Sequence, residues 1–360
     1  MSGVLVVPPP LRTKTMKALE LRAFDGVSLV FVSNKPIPTP AHGEVLVRVH
    51  AAPVTAADVL FMQGRYGEPR PLPVVPGLEC SGVVVQSGGG LLGRALLGRR
   101  VSCGPTERGD GTWAEYVCVP AWRCVPLRSF TSFEQGAPML HSAISAFAML
   151  EVARQRGAHA VAHTGGDSLL GRTLLMLAQR RKMQMLHLVA SPREVTALRA
   201  AGARHVVDLG AGLSAMQLQA LFSALGVNVV LEANAGEHTD SLLKALPRNG
   251  SLICHGVQPG AEGSAGGSAG CQIDPLELIY GGKSIVGFSL MDWMRSAGFA
   301  RSLQAGLQVQ KAMAEEPPRS ESSSQPGTKL PLDCYHHALD WLYRGGAPEG
   351  QIQFQPIRMN

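Results

Sequence analysis

The sequence predicts an α/β protein of two parts, a mostly β domain followed by a doubly wound parallel-sheet domain. Three observations lead there. Short runs rich in β-formers fill residues 16 to about 128. After about residue 159 strand-like and helix-like segments alternate regularly, as in strands joined by crossover helices. Between them the period changes: in "SFEQGAPMLHSAISAFAMLEVAR" apolar residues recur at helical spacing. At 360 residues the chain is long enough for both cores.

Residues 1–15 read as an N-terminal extension. The first 19 residues contain Arg12, Lys14 and Lys17 but no acid, while three consecutive prolines break any amphipathic helix. A cytoplasmic protein is expected, with a mitochondrial presequence as the alternative. From Met16, "KALEL", "VSLVFV" and "EVLVRVHAA" are strands separated by "DG" and "KPIPTPAHG". "VTAADVLFMQGRYG" is a helical turn or two ending at Gly64. "PVVPGLECSGVVVQSGGG" reads as turn, strand, turn, and "LLGRRVSCG" and "GTWAEYVCVPAWRCVPL" add strands. The first domain is thus expected over 16–135, irregular and partly barrel-like.

A helix then starts with Ser132 and Gln135 as a capping box. Strands follow at "HAVAHT", "MQMLHLVAS", "HVVDL", "VNVVLEAN" and "SLICHGV". Between them lie helices at "SLLGRTLLMLAQRRK", "PREVTALRAAGA", "LSAMQLQALFSALG" and "HTDSLLKALPRNG". The third strand's preceding helix has Pro in its first turn and Gly at its end. The second domain is expected over 136–283. After about Ser284 the alternation ends, and residues 284–360, with a terminal strand in "GQIQFQP", are expected to rejoin the first domain. Two stretches poor in apolar residues, 260–270 and 315–329, read as inserted loops.

Composition narrows the function. The chain is 45% hydrophobic and 17% charged, a folded, soluble composition. Its net charge of +6 favours an anionic partner, but Lys and Arg are scattered, which suits a phosphate-bearing small molecule better than nucleic acid. The 7 cysteines are dispersed without a CxxC pair, so free thiols in a reducing compartment are expected rather than a disulfide framework or structural zinc. No apolar run reaches the length of a membrane span.

The strongest local signal is "AVAHTGGDSLLGRTLLMLA". A strand runs into Gly165 and Gly166, and Gly171 opens a helix. Glycines admit close approach of a pyrophosphate, and a helix N-terminus supplies unpaired N–H groups and a positive dipole. The candidate cradle includes Asp167, Ser168, Leu169 and Leu170. The second strand ends in Ser191-Pro192-Arg193, with no acid before Glu194. A hydroxyl and a guanidinium suit a 2′-phosphate, which points to NADPH.

With these stretches the chain resembles the medium-chain dehydrogenase/reductase superfamily. The resemblance also rests on "MKALEL", "PVVPGLECSGVVV", "GTWAEYVCVPA", "LRAAGARHVVD" and "VNVVLEANAG", and spans nearly all of residues 16–356. It implies a GroES-like catalytic domain, a Rossmann domain, a small-molecule substrate and a homodimer through the Rossmann sheets. In the zinc branch a histidine stands where this chain has Leu78, and a cysteine about where it has Thr55. The resemblance is therefore to the zinc-free branches, the quinone oxidoreductases and the mitochondrial trans-2-enoyl thioester reductases. "QGRYG" and "GFSLMDW" lean toward the latter. There the tyrosine implies a proton donor, Tyr66, beside Arg65. It also implies nicotinamide contacts from Thr55 and from Ser142 or Ser145, and cofactor contacts at Gly256 and Val257. His141 is a nearby group that could titrate near neutral pH.

Overall fold

The computed structural model describes residues 13–67, 70–106, 108–166, 168–233, 235–236, 238–256, 262–263, 267–268, 273–315, 328–344 and 352–357. Two compact units emerge: Met1–His141 with Gly298–Asn360, and Ser142–Ala297.

The first unit is built on antiparallel strands. β1 (Thr15–Leu21) pairs with β2 (Leu29–Pro36). β3 (Glu44–Pro53) lies between β4 (Cys80–Ser87) and β6 (Tyr116–Pro120). β5 (Arg100–Cys103) pairs with β4 and with β7 (Val125–Pro126). Helix α1 (Ala56–Met62) follows β3 directly. The "QGRYG" turn closes it, and Gly64 and Gly67 both adopt left-handed backbone, φ 70° and 66°. Glycine is required there because a side chain at such φ is strained. Helix α2 (Leu91–Leu96) falls between the turn and the strand of the sequence reading, in a stretch it left unassigned; six residues are too few to show a helical period.

The predicted capping box forms, with Ser132 N donating to Gln135 Oε1 at 3.0 Å and Gln135 N to Ser132 Oγ at 3.1 Å. The single long helix predicted after it is broken. α3 (Phe133–Gly136) gives way to a tight turn over Ala137–Met139 and a wide one over Leu140–Ile144 before α4 (Ser145–Gln155). Pro138, which lacks an N–H to donate, sits at the break. By length and composition alone Phe133–Gln155 could cross a membrane, but 78% of its most apolar window is buried inside the protein.

The second unit alternates as expected. β8 (Ala160–Thr164), α5 (Leu169–Arg180), β9 (Gln184–Val189), α6 (Pro192–Ala200) and β10 (His205–Asp208) are followed by α7 (Ala215–Leu225), β11 (Val227–Glu232), α8 (Thr239–Ala245) and β12 (Ser251–Cys254). After a short antiparallel pair, β13 (Glu262–Gly263) and β14 (Gly267–Ser268), come α9 (Pro275–Ile279) and β15 (Ser284–Gly287). The six-stranded sheet runs β10-β9-β8-β11-β12-β15, every pair parallel. β15 is the strand that the sequence reading left out when it ended the alternation at Ser284; four residues are too short for periodicity to register. The division of the chain accordingly falls at Ser142 and Ala297, where the sequence reading set 136 and 283.

α10 (Leu290–Ala314) breaks at Gly298, φ 75°, and the chain returns to the first unit. β16 (Thr328–Leu330), α11 (Tyr335–Arg344) and β17 (Ile352–Phe354) complete it. β17 pairs with β3, Phe354 opposite Ala52, and its phenyl ring packs edge-on to the fully buried Trp113 at 5.1 Å. Most of the two inserted stretches, and residues 1–12, lie outside the described residues.

Candidate functional site

In the second unit the connections run from β8 outward to β9 and β10, then cross back to β11 on the other side of β8. Strand order reverses between β8 and β11. In open parallel sheets a ligand crevice forms beyond the C-terminal ends of the strands flanking such a reversal. The glycine loop leaves β8 at this point.

Each glycine of the loop is there for a distinct steric reason. Gly165 has φ 68°, the left-handed turn that ends the strand. A Cβ on Gly166 would come within 2.8 Å of His187 Nδ1 and of Leu198 Cδ1, so this residue lies flat against β9 and α6. A Cβ on Gly171 would collide with the backbone of Gly165 and Gly166. Ser168 is fully committed to the loop. Its N–H and Oγ both donate to Gly165 O, at 3.2 and 2.8 Å, and its Oγ accepts from Gly171 N at 3.0 Å. The N–H groups of Leu169 and Leu170 lie in the first turn of α5, where a helix has no internal acceptor for them, the position at which helices offer N–H groups to an anion. Asp167 and Val257 lie outside the described residues. Gly256 follows β12, where a Cβ would stand 2.6 Å from Ala233 O.

The end of β9 differs from its sequence reading. Ser191 caps α6, and Glu194 folds back over the strand end. Its Oε2 accepts from Ala190 N at 3.3 Å and its Oε1 from Ser191 Oγ at 3.2 Å. The acid that the strand lacks in sequence is thus supplied in space by the first turn of the next helix. Arg193, beside it, is exposed. A carboxylate here accepts a ribose 2′-hydroxyl and repels a 2′-phosphate, whereas the guanidinium attracts the phosphate.

Below the loop lies a feature absent from the sequence reading. His163 in β8 and His187 in β9 are directly in register, rings edge-on at 6.4 Å, and His255 stacks on His163 at 5.4 Å. His163 and His187 are fully buried, and neither ring nitrogen of either has a partner among the described residues. Burial pushes His187 and His255 down to about 4, and His163 well below the usual range, the proximity of His255 and His187 adding to burial. All three are therefore neutral at physiological pH.

In the first unit, Tyr66 is half-buried and packs against the unit's apolar core. Thr55 precedes α1 and is tied to Asp58: its N and Oγ1 donate to Asp58 Oδ2 at 2.8 and 2.7 Å. Asp58 Oδ1 accepts from Leu78 N at 3.2 Å. Next in sequence, Glu79 Oε2 accepts from His141 N at 2.8 Å, while its Oε1 is buried with no partner among the described residues. Burial raises Asp58 to about 6. Burial, assisted by the Asp58 charge, raises Glu79 to about 8. His141 does not titrate near neutrality as its sequence reading allowed: burial, then the Arg123 charge, hold it at about 4. The sequence reading used Leu78 and Glu79 only against zinc; that Glu79 is buried and protonated becomes visible only once β4 is packed. Ser142 is half-buried in the wide turn, and Ser145 is buried at the start of α4. Among the described residues no group of three or more His, Cys, Asp or Glu side chains is placed to hold a metal ion.

Residues 41–129 match the alcohol dehydrogenase GroES-like domain. The chain is 28% identical over 293 residues to the mouse synaptic vesicle membrane protein VAT-1 homolog-like, covering 79% of this chain and 68% of that protein. It is 25% identical over 299 residues to rat quinone oxidoreductase, covering 82% of this chain and 87% of that enzyme. A candidate NADPH:quinone reductase of Mesorhizobium loti superposes with TM-score 0.81 at 26% identity, over 96% of this chain and 100% of the other. A mycobacterial protein solved with NADPH shares the fold, with TM-score 0.74 at 23% identity over 95% and 100% of the two chains.

A GroES-like β unit and a parallel-sheet unit with a glycine loop at its strand reversal are the two parts of the fold that this chain shares with NADPH:quinone reductases. Beyond the GroES-like match, the chain as a whole is similar to proteins of the medium-chain dehydrogenase/reductase type, quinone oxidoreductases and VAT-1 homologues among them.

Proposed function

We propose that the protein is a zinc-independent, NADPH-dependent reductase that delivers hydride to an activated acceptor, a quinone or an α,β-unsaturated carbonyl compound such as an enoyl thioester. The observation that carries this reading is the glycine loop at the strand reversal, which leads into the N-terminus of α5 at Leu169 and Leu170. Zinc independence rests on Leu78 and Thr55, neither a ligand in this setting. A bound NADPH would supply the hydride. The chain's part is to hold the pyrophosphate at α5, to select the adenosine end with Arg193, and to contact the nicotinamide with Thr55, Ser142 or Ser145. The Thr55 hydroxyl proton is committed to Asp58, so toward a carboxamide Thr55 can only accept.

Tyr66 is the proposed proton donor. When hydride adds to the β-carbon of an enoyl thioester, charge develops on the carbonyl oxygen, and a phenol can stabilise it and return a proton to the α-carbon. A homodimer through the second unit's sheet is part of the proposal. β15 is an edge strand, and α9 leaves Leu276, Ile279 and Tyr280 more than half exposed.

The test is NADPH oxidation by the purified protein with 1,4-benzoquinone, crotonyl-CoA and a longer trans-2-enoyl-CoA, repeated with Tyr66→Phe. Preference for enoyl-CoA with a kcat loss of roughly 100-fold in the variant and unchanged NADPH binding supports the donor role. Quinone turnover that ignores the substitution leaves Tyr66 as a pocket wall. NADPH binding without turnover of any acceptor would overturn the reductase reading.

A further inference from the structure

Three of the cysteines that the sequence scatters over 45 residues meet in the core of the first unit. Cys80 in β4 and Cys103 in β5 are direct cross-strand partners, and their sulfurs lie 3.6 Å apart. Cys124, just before β7, shares a hydrogen bond with Cys103. All three are buried, Cys80, Cys103 and Cys124 each essentially without exposed surface. Nothing in the proposed hydride transfer uses them.

Directly opposed residues of an antiparallel pair have Cα atoms about 4.5–5.5 Å apart, inside the window of about 4.4–6.8 Å that a disulfide spans. Closing 3.6 Å to a bonded distance therefore takes side-chain rotation without displacement of either strand. We propose that Cys80 and Cys103 form a redox-active dithiol, a modification site that hydroperoxides convert to an intrachain disulfide.

The chemistry fits the asymmetry of the cluster. Cys103 receives hydrogen bonds from both neighbouring thiols, which hold its pKa down, while Cys80 and Cys124 are pushed well up. The low-pKa sulfur is the nucleophile. Cys103 thiolate attacks one oxygen of hydrogen peroxide, the O–O bond breaks, and the departing hydroxide takes up the proton that Cys103 released on ionising and leaves as water while the sulfenic acid forms. The Cys80 thiol then attacks that sulfur. An S–S bond replaces the S–O bond, and the hydroxide leaves with the Cys80 proton as a second water. Two sulfurs lose two electrons and the peroxide gains them. Cys118, half-buried elsewhere on β6, is a poor competitor because burial, then the Glu44 charge, raise its thiol to about 12.

The experiment uses the whole protein in native buffer. It is treated with hydrogen peroxide, blocked with N-ethylmaleimide, denatured, and mapped by peptide mass spectrometry. The expected result is a Cys80–Cys103 linked peptide, two hydrogens lighter than the reduced pair and restored by dithiothreitol, with far-ultraviolet circular dichroism unchanged. Cys124→Ser retains that link and Cys103→Ser abolishes it. The mapping of unmutated protein stands alone should either variant fail to fold. Recovery of Cys80 and Cys103 as free thiols while Cys118, Cys254 or Cys334 oxidise, or a link from Cys103 to any other cysteine, would overturn the proposal.

Discussion

The two units differ in the buried ionisable groups that set their response to pH. The first holds two carboxyls, Asp58 and Glu79, raised to about 6 and about 8. The second holds the row of His163, His187 and His255, all depressed. Glu79 and the three histidines are thereby neutral at pH 7 inside a low-dielectric core, whereas Asp58 titrates about one unit below it. The first unit also holds His50 and His141, depressed to about 4, so both units lose stability in acid, and Glu79 adds an alkaline loss to the first.

The largest expected effect follows from that contrast. Between pH 4.5 and 8 the folded first unit keeps a proton on Glu79 that the unfolded chain has lost. Its stability therefore falls as pH rises through this window, by roughly 4 kcal/mol from Glu79 alone. Between pH 6.5 and about 4 the unfolded second unit takes up protons that folded His187 and His255 refuse. Its stability falls as pH drops, by roughly 3 kcal/mol for each histidine. Calorimetry across pH 4–9, with hydrogen exchange to assign each transition, checks both slopes. Glu79→Gln should flatten the alkaline slope and leave the acid one. An alkaline slope in the second unit as steep as that in the first would break the comparison.

A substitution in the loop sharpens it. Gly171→Ala puts a methyl into the Gly165–Gly166 backbone and should weaken NADPH binding by roughly 100-fold. Hydrogen exchange in the first unit should not change. Fluorescence titration reads the first effect, and protection of β3 and β4 the second.

The smallest expected effects concern the strand end after β9. Arg193→Ala should weaken NADPH by roughly tenfold and leave NADH unchanged, as the loss of one charge-assisted phosphate contact. Glu194→Gln removes the carboxylate from the strand end and should shift preference further toward NADPH, by a few-fold. Paired titrations of both nucleotides measure the ratio. Equal effects of Arg193→Ala on NADPH and NADH would remove its assignment to the 2′-phosphate.

Much of the second unit was legible in sequence because its signals are local. A strand, a glycine turn and a capped helix each lie within a few residues, and Ser191 and Ser214 cap their helices by accepting from the residue three positions on. The break at Pro138, the short strand β15 and helix α2 were not legible, because each is too brief for a period or is overridden by packing. In the site, the glycines were readable from their spacing. Glu79, Asp58 and the histidine row were not, since nothing in a lone Glu or His announces that its neighbours in space will exclude water.

What the sequence by itself determined is the alternation of elements, the glycine loop and its helix, and the absence of a histidine at Leu78. Those are properties of contiguous residues and of residue type. Only the tertiary structure decided that Phe354 joins β3 across some 300 residues, that Glu194 covers the end of β9, and that Cys80 faces Cys103. Register between strands and the exclusion of water are set by the whole packed core. A chain read residue by residue carries them only implicitly.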